Sequence, residues 1–209
     1  MNLKHRFLNE LENLEQNQFF CNQKISKENR ILIIGTFNPN DESCKKENQA
    51  IWFYGRTQNW FWKYLPAALN KESLLNEAGL DLNACKEFCK ENKIVIVDLL
   101  KGINDCEQLD GFNDEKLNER ILSDIQNADV FRFEDAFRGV TFEKVIYTRK
   151  GWNSVVDKNI EKLIKIKNLV NELLIKNQVI KDSSQIKYCP APWQKRQSTK
   201  QQWIAAIND

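Results

Sequence analysis

Two side chains in this sequence could act on a small polar molecule, the carboxamide of Asn38 and the carboxylate of Asp98. Asn38 sits in ILIIGTFNPN, residues 31–40, where an apolar run stops at Gly35 and a short polar loop follows. A carboxamide cannot accept a proton at neutral pH, but it can orient a water or hold a polar edge. That suits a dissociative reaction, which needs positioning more than a strong base. The loop is neither a phosphate-binding loop, because Gly-Lys-Ser/Thr is missing, nor a dinucleotide fingerprint, because G-x-G-x-x-G is absent. Each residue also has a plain structural reading. Asn38 could close a turn, Asn59 could cap a helix, Asp98 could fix a loop, and Tyr54, Trp60, Phe61 and Trp62 could be core aromatics.

Metal chemistry has little to work with. The chain has one histidine, His5, and six cysteines, none in a C-x-x-C pair. A zinc site would therefore need mostly thiolates. Reduced structural thiols fit better, and no metal or cofactor is expected. A hydrolase using Asp98 and a metal remains a competing reading.

The elements that must position these groups alternate along the chain. RILIIG, KIVIVDLL (residues 93–100), EKVIYT and QIKYC are short, almost wholly apolar runs, which predicts four buried strands. Helical spacing appears between them. Residues 3–16 put Leu3, Phe7, Leu11 and Leu14 on one face. TQNWFWKYLPAAL starts from Thr57 as N-cap, and residues 82–90 form a short helix. NDEKLNERILSDIQN starts from Asn113 and turns Leu117, Ile121, Leu122 and Ile125 inward. A long helix over 153–176 carries Val156, Ile160, Leu163, Val170 and Leu174, and a last helix follows PAPW. The expected fold is a three-layer α/β/α sandwich with a four-stranded, mainly parallel sheet. The expected organisation is a single domain over 1–209, with residues 1–29 as an N-terminal helical extension. Such sheets place their active groups at the carboxyl ends of the strands. That nominates the loop after Ile34, the region of Asp98, the turn TRKGWN and the loop PAPW.

Length, charge and hydropathy narrow the class. The chain has 209 residues, 42% of them hydrophobic, and no apolar run near the roughly 18 residues of a membrane span. The N-terminus does not read as a signal peptide, and a cytoplasmic monomer is expected. The net charge of +2 is unevenly spread, since residues 149–200 carry twelve Lys/Arg against four Asp/Glu. A basic final third suits contact with a polyanion, although a solvated helix face would look the same.

The run Tyr54-Gly55-Arg56-Thr57-Gln58-Asn59-Trp60-Phe61-Trp62, following a strand that ends in a Gly/Asn-Pro loop, resembles the uracil-DNA glycosylase superfamily, in its mismatch-specific and deoxyinosine-type branches. IVIVDLLKGIND, VIYTRKGWNSV and YCPAPWQKRQSTKQQWIAAI are similar to later family segments in the same order, so the resemblance covers most of residues 30–207. It implies a metal-independent DNA glycosylase that removes uracil or hypoxanthine from damaged or mismatched DNA, in base-excision repair. A non-catalytic nucleic-acid or nucleobase binder on the same scaffold is the other reading. By resemblance, Asn38 and Asn59 would be catalytic. Gly35, Thr36, Phe37, Tyr54 and Asp98 would hold the base, with Tyr54 stacking on it. Pro190, Ala191, Pro192 and Trp193 would form a wedge, with Arg56, Lys150, Lys195, Arg196 and Lys200 on the DNA. Trp193 could instead pack beside Trp203. The sequence departs from the family at Thr36, at Ala191 and Trp193, where family serines would stand, and in lacking the histidine beside the leaving base.

Overall fold

A computed structural model describes the chain except residues 1, 28, 41–49, 57–58, 78, 108, 110–112, 154–156 and 193–195. Expectations for Thr57, Val156, Trp193 and Lys195 therefore lie outside the described residues. The chain opens with β1 (Leu3–Lys4), α1 (Leu8–Asn17) and a small hairpin of β2 (Phe19–Phe20) and β3 (Gln23–Lys24). Then come β4 (Ile31–Gly35), α2 (Phe61–Ala68), the hairpin β5 (Leu75–Asn76) and β6 (Gly79–Leu80), α3 (Leu82–Glu91) and β7 (Ile94–Asp98). The second half holds β8 (Leu100–Ile103), α4 (Asp114–Arg120), β9 (Ala128–Val130), α5 (Phe133–Ala136), β10 (Lys144–Tyr147), α6 (Glu161–Lys176), β11 (Ile186–Tyr188) and α7 (Gln197–Asn208). Among the described residues, no helix is long and apolar enough to cross a membrane.

The main sheet has the order β11-β10-β4-β7, and every pair in it is parallel. All of β4 and β7 is buried, as expected of strands covered on both faces. The chain runs from β4 outward to β7, crosses back to β10 and continues outward to β11. Right-handed crossovers in opposite directions put α2 and α3 on one face and α6 on the other. α7 packs beside α2, and α5 beside α6. The loops leaving β4 and β10 thus diverge to opposite faces, which opens a crevice between these neighbours.

Four expectations need correction. Residues 93–100 are not one strand. β7 ends at Asp98, and β8 joins a separate antiparallel sheet of order β1-β8-β9. The break keeps its backbone bonded, because Leu99 N–H donates to Gly35 O at 3.0 Å and Leu100 N–H to Thr36 O at 3.1 Å. The N-terminal segment is not a helical extension from residue 3. Leu3 lies in β1, opposite Ile103 of β8, and the helix starts only at Leu8. The Asn113 helix stops at Arg120, and Leu122 is exposed. There the Asn127 side chain accepts from Leu122 N–H (2.8 Å) and donates to Arg120 O (2.9 Å), taking over the groups a further turn would use. The long helix begins at Glu161, after a 3-10 turn over Lys158–Ile160 whose first free N–H, that of Asn159, is capped by Asp157 at 3.0 Å.

Candidate active site

A pocket opens at the crevice between β4 and β10. Its walls come from Thr36, Phe37 and Asn38 after β4, Asp98 at the end of β7, and Thr148 and Arg149 after β10. The 50–59 segment adds Ala50, Phe53, Tyr54, Arg56 and Asn59, and Ala191 and Pro192 complete it. The cavity is small, about 70 Å³, which is room for a ring rather than a whole nucleotide.

Gly35, expected to hold the base, is not part of the lining but lies beneath two side chains that are. A Cβ there would overlap both Asp98 Oδ1 and the Tyr54 hydroxyl, so only glycine lets these two groups close over the strand end. Asp98 is held from the other side. His5 Nδ1 accepts from Phe7 N–H at 2.9 Å, so the ring proton of the neutral imidazole is on Nε2, which donates to Asp98 Oδ2 at 2.7 Å. Among the described residues, Oδ1 has no hydrogen-bond partner.

Tyr54 is half-buried, with its backbone in the left-handed region at φ 57°. A non-glycine residue there costs of order 1–3 kcal/mol and must be held by its surroundings. Two contacts hold it. Its ring stacks on Phe61, with centroids 4.2 Å apart and planes 19° apart, and its hydroxyl shares a hydrogen bond with Thr148 Oγ1 at 2.8 Å. Burial, reinforced by the Asp98 carboxylate, pushes the phenol well above its ordinary range, so it stays protonated.

The two amides differ. Asn59 Oδ1 accepts from Phe61 N–H at 2.9 Å at the start of α2. This capping bond commits the oxygen and leaves the NH₂ group as the pocket-facing donor. Asn38 is 8% exposed, and its side chain has no hydrogen-bond partner among the described residues. Its backbone is fixed instead, since Asn38 O accepts from Arg6 N–H at 2.7 Å.

Arg149 lines the same pocket and grips Asp114, with Nε to Oδ2 at 2.9 Å and Nη2 to Oδ1 at 3.1 Å. Burial raises the Asp114 carboxyl above its usual range, against the opposing pull of Arg149 and a hydrogen bond from Thr36.

The pocket thus brings together Thr36, Phe37, Asn38, Tyr54, Arg56, Asn59, Asp98, Ala191 and Pro192. It does not bring in Pro190, Lys150, Arg196 or Lys200. Pro190 O accepts from Trp203 Nε1 (3.0 Å), and Pro192 O from Trp60 N–H (2.7 Å), which ties this loop to α7 and α2. Lys150 is exposed and donates to Gln202 Oε1 at 2.8 Å, Arg196 is exposed at the start of α7, and Lys200 is half-buried on it. Phe61 and Trp62 are core residues, as their plain structural reading had it. Sequence reasoning missed His5, Thr148 and Arg149. The turn TRKGWN had been nominated by its place after a strand, but nothing in it singled out those two side chains. Among the described residues, Cys21, Cys85, Cys89, Cys106 and Cys189 form no disulfide, and burial pushes Cys85 and Cys189 up to about 12.

No family model matches this sequence, and no curated protein does. Among solved structures, the chain is similar to a solution NMR structure of a "putative Uracil DNA glycosylase" from Methanosarcina acetivorans. Identity is 15%, the TM-score is 0.50, and the match covers 88% of this chain and 91% of that one. At that identity the likeness is one of fold, and the fold it supports is the α/β architecture described above.

Proposed function

We propose that the protein is a DNA glycosylase that hydrolyses the N-glycosidic bond of a deaminated base, uracil or hypoxanthine, in a damaged or mismatched site. One observation carries this reading. A ring-sized pocket at the sheet's switch point presents an unpartnered amide, the uncommitted NH₂ donor of a second amide and a half-free carboxylate beside a half-buried aromatic. Groups with spare hydrogen-bonding capacity around a small cavity suit a planar polar ligand. The fold shared with the Methanosarcina structure supports the same reading.

The chemistry follows from the groups. A base in a duplex must leave the stack, at a cost of a few kcal/mol that is least for a mispaired base. Stacking on an aromatic returns about 1–3 kcal/mol, and Tyr54 is the aromatic on this wall. As the bond from the sugar C1′ to the base nitrogen breaks, its electron pair goes to the base and positive charge develops on the sugar. The Asn59 NH₂ group donates to the oxygen of the base where negative charge accumulates. Asn38, free of protein partners, orients the attacking water. Lys150, Arg196 and Lys200, near the same edge, contact DNA phosphates.

The test is a panel of duplex oligonucleotides, each with a single uracil or hypoxanthine. Abasic sites form at a catalytic rate, and Asn38→Ala slows their formation about tenfold or more. Binding to these duplexes with no product from the wild type would make the protein a nucleobase or nucleic-acid binder instead.

A further inference from the structure

We propose that His5 is a positioning residue for Asp98, and that the carboxylate it holds receives the proton of the attacking water; this rests on the hydrolytic reading above. The imidazole is fully enclosed, with a side-chain exposure of 0%. It packs against Phe7, Phe37 and Phe53 at centroid distances of 5.7, 5.7 and 5.9 Å. Both ring nitrogens are committed, Nδ1 to Phe7 N–H and Nε2 to Asp98 Oδ2. The ring therefore cannot flip without losing two hydrogen bonds, and Asp98 is confined to a rotamer that leaves Oδ1 toward the pocket.

The backbone around His5 makes it more than a local brace. His5 N–H donates to Lys101 O (2.6 Å), Arg6 N–H to Asn38 O (2.7 Å) and Asn40 N–H to Lys4 O (2.8 Å). The N-terminal strand thus lies between β8 and the Asn38 loop. One short segment sets the spacing between the carboxylate and the amide, which come from different strands of the main sheet. An orientation fixed by supporting hydrogen bonds is what a reactive group needs to act at a defined point.

The proton balance is simple. The water oxygen bonds to C1′ as the C1′–N bond breaks, and the released pair leaves with the base. The water proton passes to Asp98 Oδ1 and then to the departed base anion or to solvent. His5 keeps its Nε2 proton throughout. The charged or titratable groups facing Asp98 are His5, Tyr54, Asp114 and Arg149.

Two substitutions separate the two bonds His5 makes, in the full chain, on whichever lesion duplex the wild type cleaves. His5→Asn keeps an acceptor near Nδ1 for Phe7 N–H and loses the donor to Asp98. His5→Gln keeps a donor near Nε2. We expect His5→Asn to lose about tenfold or more in kcat with KM little changed. His5→Gln recovers most of that loss. Equal kcat in both variants, or a fall in kcat that follows the melting temperature, overturns the proposal. Should the wild type release no base from any duplex, the hydrolytic reading fails and proton acceptance by Asp98 fails with it. Nitrogen-15 NMR of the imidazole then decides the positioning role separately: a proton on Nδ1 rather than Nε2 overturns it.

Discussion

Two buried carboxylates in this protein meet opposite fates. Glu15, on α1, has a fully covered side chain, and both its oxygens are used. They accept from Lys101 Nζ at 3.0 Å, from Arg132 N–H at 2.7 Å, and from Arg132 Nε and Nη2 at 3.2 Å each. Lys101 is itself buried and also reaches Asp129 at 3.5 Å. Asp98 is nearly as buried, yet only one of its oxygens has a partner, and the pocket receives the other. A buried charge whose every lone pair is answered joins elements of the fold. A buried charge left half-answered beside a cavity is a candidate for work outside the fold itself. The same contrast separates the amides: Asn118 Oδ1 accepts from both Lys162 N–H and Leu163 N–H, whereas the Asn38 amide has no partner among the described residues.

The largest effect that tests this contrast is on stability. Glu15→Ala leaves the buried Lys101 ammonium without its main partner, and breaking such a pair from one side costs about 3–5 kcal/mol. Asn38→Ala removes an amide that bonds to no described protein group, so it should shift stability by no more than about 1 kcal/mol while lowering catalysis. Urea denaturation measures both. The contrast collapses if Asn38→Ala destabilises as much as Glu15→Ala.

Next in size is Tyr54→Phe. It keeps the stack on Phe61 and removes the hydroxyl shared with Thr148 Oγ1. The expected loss is about 1 kcal/mol of stability, with base release slowed less than by Asn38→Ala, because stacking survives. A slowing larger than that of Asn38→Ala would move the phenol from platform to reacting group, and the comparison would be redrawn around it.

The parts of this architecture that were legible in advance share one property: their local pattern has a single physical solution. Runs such as ILIIG and IVIV are apolar at every position, and only a strand covered on both faces buries them all. Strand ends then gave the pocket's location by topology alone. The break at Leu99 could not be read, because Leu99 and Leu100 are equally apolar whether they extend one sheet or turn into another. Leu3, Phe7, Leu11 and Leu14 fit a helix by spacing, but Leu3 finds its partner 100 residues away in Ile103, and no local pattern encodes that. His5 was set aside because a lone histidine cannot build a metal site. What it does build depends on Asp98, 93 positions along the chain. Arg149 hides for the same reason: its grip on Asp114 joins the far end of β10 to the start of α4.

The smallest effects come from two carboxylates whose folded states pull protons in opposite directions. Burial raises the Asp114 carboxyl above its ordinary value of 3.8, so the native state holds that proton more tightly than the unfolded chain does. Its contribution to stability is complete below 3.8 and is lost as pH rises through the native value. Asp182 is exposed and lowered, first by a hydrogen bond from the Ser184 side chain and then by the Ser184 N–H, which donates to Oδ1 at 2.8 Å. Its contribution is present above 3.8 and disappears as pH falls through the native value. Melting curves between about pH 3 and 7 therefore separate the two. On acidification, Asp182→Asn should lose less stability than the wild type, and Asp114→Asn should lose more. Only the slopes are compared, because Asp114→Asn also weakens the hold on Arg149 and shifts the whole curve. Three parallel curves would show that neither carboxylate distinguishes the folded from the unfolded chain, and burial would then not be what holds the proton on Asp114.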